Sequence, residues 1–158
     1  MRQTGITAVA VVALLASTVL IASAFEGGKT EGDKVDFKKV KCVINPKAGA
    51  KEKNAADYKG GKVYTCCGGC LAKFKKSPSD FATAANGQLV STKQFKQVKC
   101  PISGGKINPS KSVVVNGVKV AFCCGNCEGK VKGAGDKQAE LVFGEKAFKK
   151  GFVSASKK

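Results

Sequence analysis

The plainest pattern in the chain is an apolar, β-branched run on either side of an Asn-Gly pair. Val113-Val114-Val115, Asn116-Gly117 and Val118-Lys119-Val120-Ala121-Phe122 predict a β-hairpin with a two-residue turn. A weaker version stands earlier, with Tyr58-Lys59-Gly60-Gly61-Lys62 at the turn and Val63-Tyr64-Thr65 after it. Each hairpin runs directly into a knuckle: Cys66-Cys67-Gly68-Gly69-Cys70 in the first case, Cys123-Cys124-Gly125-Asn126-Cys127 in the second. Leu71-Ala72-Lys73-Phe74 then begins a short helix. Ser77-Pro78-Ser79-Asp80 reads as an N-cap with proline in the first turn of a second helical stretch, which Asn86-Gly87 closes. Lys137 to Lys150 is predicted to be helical, with Gly144 as its weak point.

These elements belong to an internal duplication. Phe37-Lys38-Lys39-Val40-Lys41-Cys42 recurs as Phe95-Lys96-Gln97-Val98-Lys99-Cys100. Each unit of about 55 residues owns four cysteines, C-x23-C-C-x2-C in the first and C-x22-C-C-x2-C in the second. A unit this small buries too little apolar surface to be stable alone. It calls for disulfides, a metal or a tight partner. The expected class is α+β, two tandem repeats, each a hairpin followed by a short helix organised around a cysteine cluster.

The amino terminus carries a different pattern. After Met1-Arg2-Gln3-Thr4, residues Gly5 to Ile21 are almost unbroken apolar, and Ala22-Ser23-Ala24 matches an A-x-A cleavage site. This reads as a secretory signal peptide cut before Phe25, which leaves no membrane segment and places the protein outside the cytoplasm, in a periplasm or secreted. The expected organisation is residues 1–24 signal peptide, 25–36 flexible leader, 37–94 first unit, 95–153 second unit and 154–158 lysine-rich tail.

Composition narrows the chemistry. The chain of 158 residues has eight cysteines, no histidine and no tryptophan, and a net charge of +17. Without histidine the Ser-His-Asp triad, the Cys-His pair and H-E-x-x-H hydrolysis are excluded. No phosphate-binding glycine motif is present, so an enzyme is not expected. Cleavage removes Arg2, the sole arginine, leaving +16 carried on lysine alone. Such a surface favours diffuse attraction to an acidic polymer or anionic surface over specific nucleic-acid recognition. The aromatic residues Phe37, Tyr64, Phe74, Phe81, Phe95, Phe122, Phe143 and Phe148 read as core, with Phe37 and Phe95 in equivalent packing positions.

Cys100-Pro101-Ile102-Ser103-Gly104, a hairpin, and then Phe122-Cys123-x3-Cys127 resembles the TRASH/YHS family of small metal-associated modules. The first unit supplies Cys66-x3-Cys70 and then Phe74, Pro78 and Phe81 in an F-x3-P-x2-F arrangement. The resemblance covers roughly residues 38–98 and 96–150. It implies hairpin-plus-helix units associated with heavy-metal sensing, trafficking and resistance. It also implies Cys42, Cys66 and Cys70 as one ligand set and Cys100, Cys123 and Cys127 as another. Cys67 and Cys124 are extra thiols against the family pattern, placed as fourth ligands or redox partners. The first unit departs at Val43-Ile44-Asn45, and in the second Val131 stands for Phe74 with no match to Pro78.

Read from the residues themselves, the cysteines admit several uses. A glycine-containing knuckle and a third cysteine brought in beside it suit a thiophilic ion such as zinc or copper. Lys62, Lys73, Lys119 and Lys130 around the knuckles favour thiolates. An oxidising compartment equally allows two disulfides per unit, although vicinal Cys66–Cys67 and Cys123–Cys124 bonds are strained. A C-x-x-C redox role lacks its βαβ context, and a cysteine nucleophile lacks a base. The function expected is metal binding, for buffering, delivery or structural support. The alternative is a disulfide-stapled basic protein that binds acidic surfaces.

Overall fold

The computed structural model describes residues 35–156. The expected signal peptide, most of the expected leader and the last two lysines of the chain lie outside that range. Strands β1 (Lys51–Tyr58) and β2 (Gly61–Thr65) form the first antiparallel hairpin, and helix α1 (Gly68–Lys76) follows the knuckle. A 3-10 turn at Pro78–Phe81 leads into α2 (Ala82–Ser91) and then the short strand β3 (Phe95–Gln97). The second hairpin is β4 (Asn108–Val115) with β5 (Val118–Phe122), followed by α3 (Gly125–Lys132). Helices α4 (Gln138–Phe143) and α5 (Glu145–Gly151) and strand β6 (Phe152–Ser154) complete the α+β fold. No helix among the described residues is long and apolar enough to cross a membrane.

Turn chemistry explains both hairpins. Lys59-Gly60 has φ values of 53° and 81°, and Asn116-Gly117 has 50° and 79°. Both turns thus hold two residues in the left-handed region, the two-residue connection whose twist matches its strands. Asn116 tolerates that conformation. Lys59 is held in it by its ammonium, which meets the Glu145 carboxylate at 2.6 Å and the Asn86 Oδ1 at 3.0 Å. Each hairpin also carries a bulge at the same place, between Lys51 and Ala55 and between Asn108 and Ser112. Pro109 is accommodated inside the second bulge, where no ladder hydrogen bond is required of it.

One apolar core runs through residues of both halves: Val63, Phe74 and Leu89 from the first, Val120, Phe122, Val142, Phe143 and Phe148 from the second. Strands β3 and β6 pair antiparallel and join the two ends of the second half, Phe95 opposite Ser154 and Gln97 opposite Phe152. Phe95 packs on Phe148 with ring centroids 5.0 Å apart. Phe37 instead meets Tyr64 edge-on at 4.9 Å, in a small separate cluster with Val40. The two phenylalanines therefore do not share a packing position. Tyr64 gives Phe37 a ring to lie against, and the matching residue in the second hairpin is Ala121.

The second helical stretch does not end at Asn86-Gly87; α2 continues to Ser91. Both residues are buried at its crossing with α4. The Asn86 amide donates to the Phe143 carbonyl at 2.8 Å, and a Cβ on Gly87 would stand 3.2 Å from the Phe143 ring. The pair that resembles a stop signal is a helix-helix contact. Gly144 does interrupt the last helix, separating α4 from α5 with ψ at 155°. A Cβ there would lie 2.4 Å from the Glu140 carbonyl oxygen, so only glycine allows this close approach.

Candidate metal centres

Each cysteine cluster is assembled by three local devices. The first is the junction from strand to helix. Cys66 directly follows β2, Cys67 is the N-cap of α1 in extended conformation, and Cys70 lies in the first helical turn. Cys124 caps α3 with nearly the same backbone angles, φ −157° against −154°. This junction brings the Cys66 and Cys70 sulfurs to 3.6 Å, and those of Cys123 and Cys127 to 3.6 Å.

The second device is a loop that carries the remaining cysteine. The Cys42 amide donates to Ala48 O at 2.9 Å, and Lys41 bridges Gly49, closing the loop that starts at Cys42. The Cys100 amide donates to Gly105 O at 2.9 Å and Gly104 N donates back to Cys100 O at 2.7 Å. Beneath this second loop, the Gly151 carbonyl accepts from Val98 and Lys99, and Lys150 Nζ donates to Ile102 O at 2.9 Å.

The third device ties loop to knuckle. Gln88 accepts from Tyr64 N at 2.6 Å and donates to Tyr64 O at 2.9 Å and to Lys41 O at 2.7 Å. Gln97 accepts from Ala121 N at 2.9 Å and donates to Ala121 O at 2.6 Å and Lys99 O at 3.1 Å. Lys41 and Lys99 immediately precede Cys42 and Cys100. Tyr64 and Ala121 stand two residues before Cys66 and Cys123. One amide side chain per cluster thus sets the distance between the two chain segments that carry sulfur.

The result is two sulfur triads. The sulfurs of Cys42, Cys66 and Cys70 lie within 4.8 Å of one another, and so do those of Cys100, Cys123 and Cys127. For comparison, sulfurs sharing a tetrahedral ion at the usual Zn–S length of about 2.3 Å stand about 3.8 Å apart. All eight cysteines are free thiols. Cys42 and Cys100 are buried, the knuckle pairs half-buried, and Cys67 and Cys124 exposed. Cys67 lies 3.7 Å from Cys66 and Cys124 lies 3.6 Å from Cys123, each at the outer side of its triad.

Electrostatics distinguish the sulfurs. Burial pushes the Cys100 thiol up, but hydrogen bonds from Ser103, from the Cys123 and Ile102 backbone and from the Ser103 amide outweigh it and bring it to about 6. Burial likewise opposes, and the amides of Asn45, Cys66 and Ile44 outweigh, at Cys42, whose thiol also lies below its ordinary value. Hydrogen bonds with Cys66 and Cys67 raise Cys70 to about 12. Burial, then Cys123 and Cys124, does the same for Cys127. In each cluster the buried sulfur therefore gives up its proton more readily than its partner Cys70 or Cys127 at the knuckle, an arrangement in which a cation can replace shared protons.

Lysine plays little part in this. Lys62 pairs with Asp57 at 3.0 Å and Lys73 lies over the Phe81 ring, so neither ammonium is directed to the thiols as expected. The Ser103 hydroxyl and backbone amides supply the stabilisation. The residues that sequence reasoning passed over are Gln88, Gln97 and Ser103, whose Oγ lies 3.1 Å from the Cys123 sulfur. Ser103 sat in plain view within Cys-Pro-Ile-Ser-Gly. Gln88 had no signal beyond being a polar residue on a helix that buries that face. Comparison of the chain with protein-family models, with curated proteins and with solved structures yields no match.

Proposed function

We propose that this protein binds one thiophilic ion, zinc or copper, in each of its two cysteine clusters and serves metal buffering or delivery without catalysing a reaction. The observation that carries this is the convergence of Cys42, Cys66 and Cys70, and independently of Cys100, Cys123 and Cys127, to within 4.8 Å. Three sulfurs are a complete set for Cu(I), and leave one position of a four-coordinate zinc ion for a further ligand. The tandem arrangement belongs to the same proposal: two copies of one TRASH/YHS-like hairpin-knuckle-helix module, fused through a shared core. The apolar run from Gly5 to Ile21 and the Ala22-Ser23-Ala24 site support export. The lysine excess supports diffuse attraction to anionic surroundings.

The deciding experiment is metal content together with free-thiol count on protein purified from the compartment in which it resides. Stoichiometric metal, with eight thiols that react once the metal is chelated, is the expected outcome. No metal and no free thiols would replace this reading with that of a disulfide-stapled basic protein.

A further inference from the structure

We propose that Cys67 and Cys124 are exchange ports, thiols through which a metal ion passes between a thiolate-bearing carrier in solution and the triad behind them. This rests on the metal-binding reading above and adds the route and the class of partner. The sulfurs of each cluster are layered by depth. At the bottom lies Cys42 at 2% exposure, or Cys100 at 0%. Above it are the half-buried Cys66 and Cys70, or Cys123 and Cys127, and outermost the exposed Cys67 or Cys124. The sulfurs stand close in succession: 3.7 Å from Cys67 to Cys66 and 3.6 Å from Cys66 to Cys70, 3.6 Å and 3.6 Å along the second series, with Cys42 or Cys100 within 4.8 Å of its knuckle pair. The same gradient occurs in both clusters, although their third cysteines sit on loops held by different contacts. A carrier cannot reach Cys42 or Cys100 directly. It can reach Cys67 or Cys124.

The chemistry is ligand exchange with no change in oxidation state. Cys67 loses its proton as its sulfur bonds to the carrier's ion, and the leaving carrier thiolate takes that proton. Cys66 then bonds to the ion and gives its proton to a second carrier thiolate as that leaves. Cys70 and Cys42 follow, the Cys67–metal bond breaks, Cys67 recovers one proton from the triad, and any remaining proton passes to solvent. Every bond broken is replaced by another bond to sulfur, so the ion is never released as a hydrated cation. The carrier is therefore a thiolate compound, either a small thiol or a protein that presents cysteine.

The test uses the full protein, reduced, with Cu(I) supplied as its glutathione complex. Uptake is followed by sulfur-to-copper absorption, and the ions bound at completion are counted by native mass spectrometry. Cys67→Ser/Cys124→Ser retains good N-cap residues for α1 and α3, so the helices are preserved. The expected result is two ions bound at completion in both proteins, with uptake slowed at least about tenfold in the variant. Equal uptake rates would overturn the proposal, making the exposed thiols bystanders. Fewer than two ions in the variant would overturn it as well, making them permanent ligands. A wild-type chain with eight reduced thiols that takes up no copper would instead defeat the metal-binding reading itself, and the port with it.

Discussion

Gln88 grips Tyr64 by both of its backbone groups, at 2.6 Å and 2.9 Å, and with the same amide holds the carbonyl just before Cys42. Gln97 treats Ala121 and the carbonyl just before Cys100 in the same way. One glutamine is on helix α2 and the other on strand β3, nine positions apart in a chain whose two clusters are separated by more than fifty. They are not sequence equivalents of each other, yet each ties together the corresponding two segments of its cluster.

Replacing Gln88 with alanine leaves the Tyr64 amide and two carbonyls without this partner inside the protein. The expected cost in stability is about 1–3 kcal/mol. Metal affinity of the first cluster should fall about 10- to 100-fold, the range for groups that orient a ligand. The second cluster should be unaffected, and Gln97→Ala should give the converse. Titration with a competing chelator, on chains in which the other cluster is disabled, measures each effect separately.

The hairpins and the knuckle cysteine pairs were legible because they rest on local rules, whereas the third cysteine of each cluster was placed by the family resemblance. Asn116-Gly117 dictates its turn, and two cysteines four apart across a strand-to-helix junction converge whatever surrounds them. The path of α2 was not legible. Asn86-Gly87 carries the local signature of a helix end, but the Phe143 ring and carbonyl on α4 use the space and the amide, and tertiary packing overrides the local preference. The glutamine clamps were hidden for the same reason, since their partners lie 24 residues or more away for every strand contact.

Gly144→Ala places a Cβ 2.4 Å from the Glu140 carbonyl oxygen, a backbone atom that cannot move without unwinding the end of α4. A loss of about 1–3 kcal/mol is expected, as for other forced overpacking. Urea denaturation should show a lower midpoint with an unchanged slope.

The Lys59–Glu145 pair links the first hairpin turn to α5 at 2.6 Å. The Lys59 ammonium holds the Glu145 carboxyl below its ordinary value. The stability this supplies is therefore present above the ordinary carboxylate range, near pH 4.5, and is lost as the pH falls through the lowered native value. Because both groups are partly exposed, the contribution is under about 1 kcal/mol. Glu145→Gln should lower stability at pH 7 by that amount and flatten the acid limb of the stability profile. Denaturation curves from pH 3 to pH 7 give the comparison.

Burial first, and then the Glu145 carboxylate, push the Tyr58 phenol up to about 12. Its contribution to stability is complete below the ordinary tyrosine value of about 10 and disappears as the pH rises through 12. Absorbance at about 295 nm, where tyrosinate is read, should show little ionisation of Tyr58 at pH 10.5 in the folded protein. Glu145→Gln should bring the transition down only in part, because burial remains.

The claim that each sulfur triad holds its own ion is tested most directly by counting ions in single-cluster variants by native mass spectrometry under reducing conditions. Wild type should carry two zinc or copper ions, Cys42→Ser and Cys100→Ser one tightly held ion each, and the double variant none. A wild-type chain without bound metal, or a Cys42→Ser chain that still holds two ions as tightly as wild type, would contradict the account.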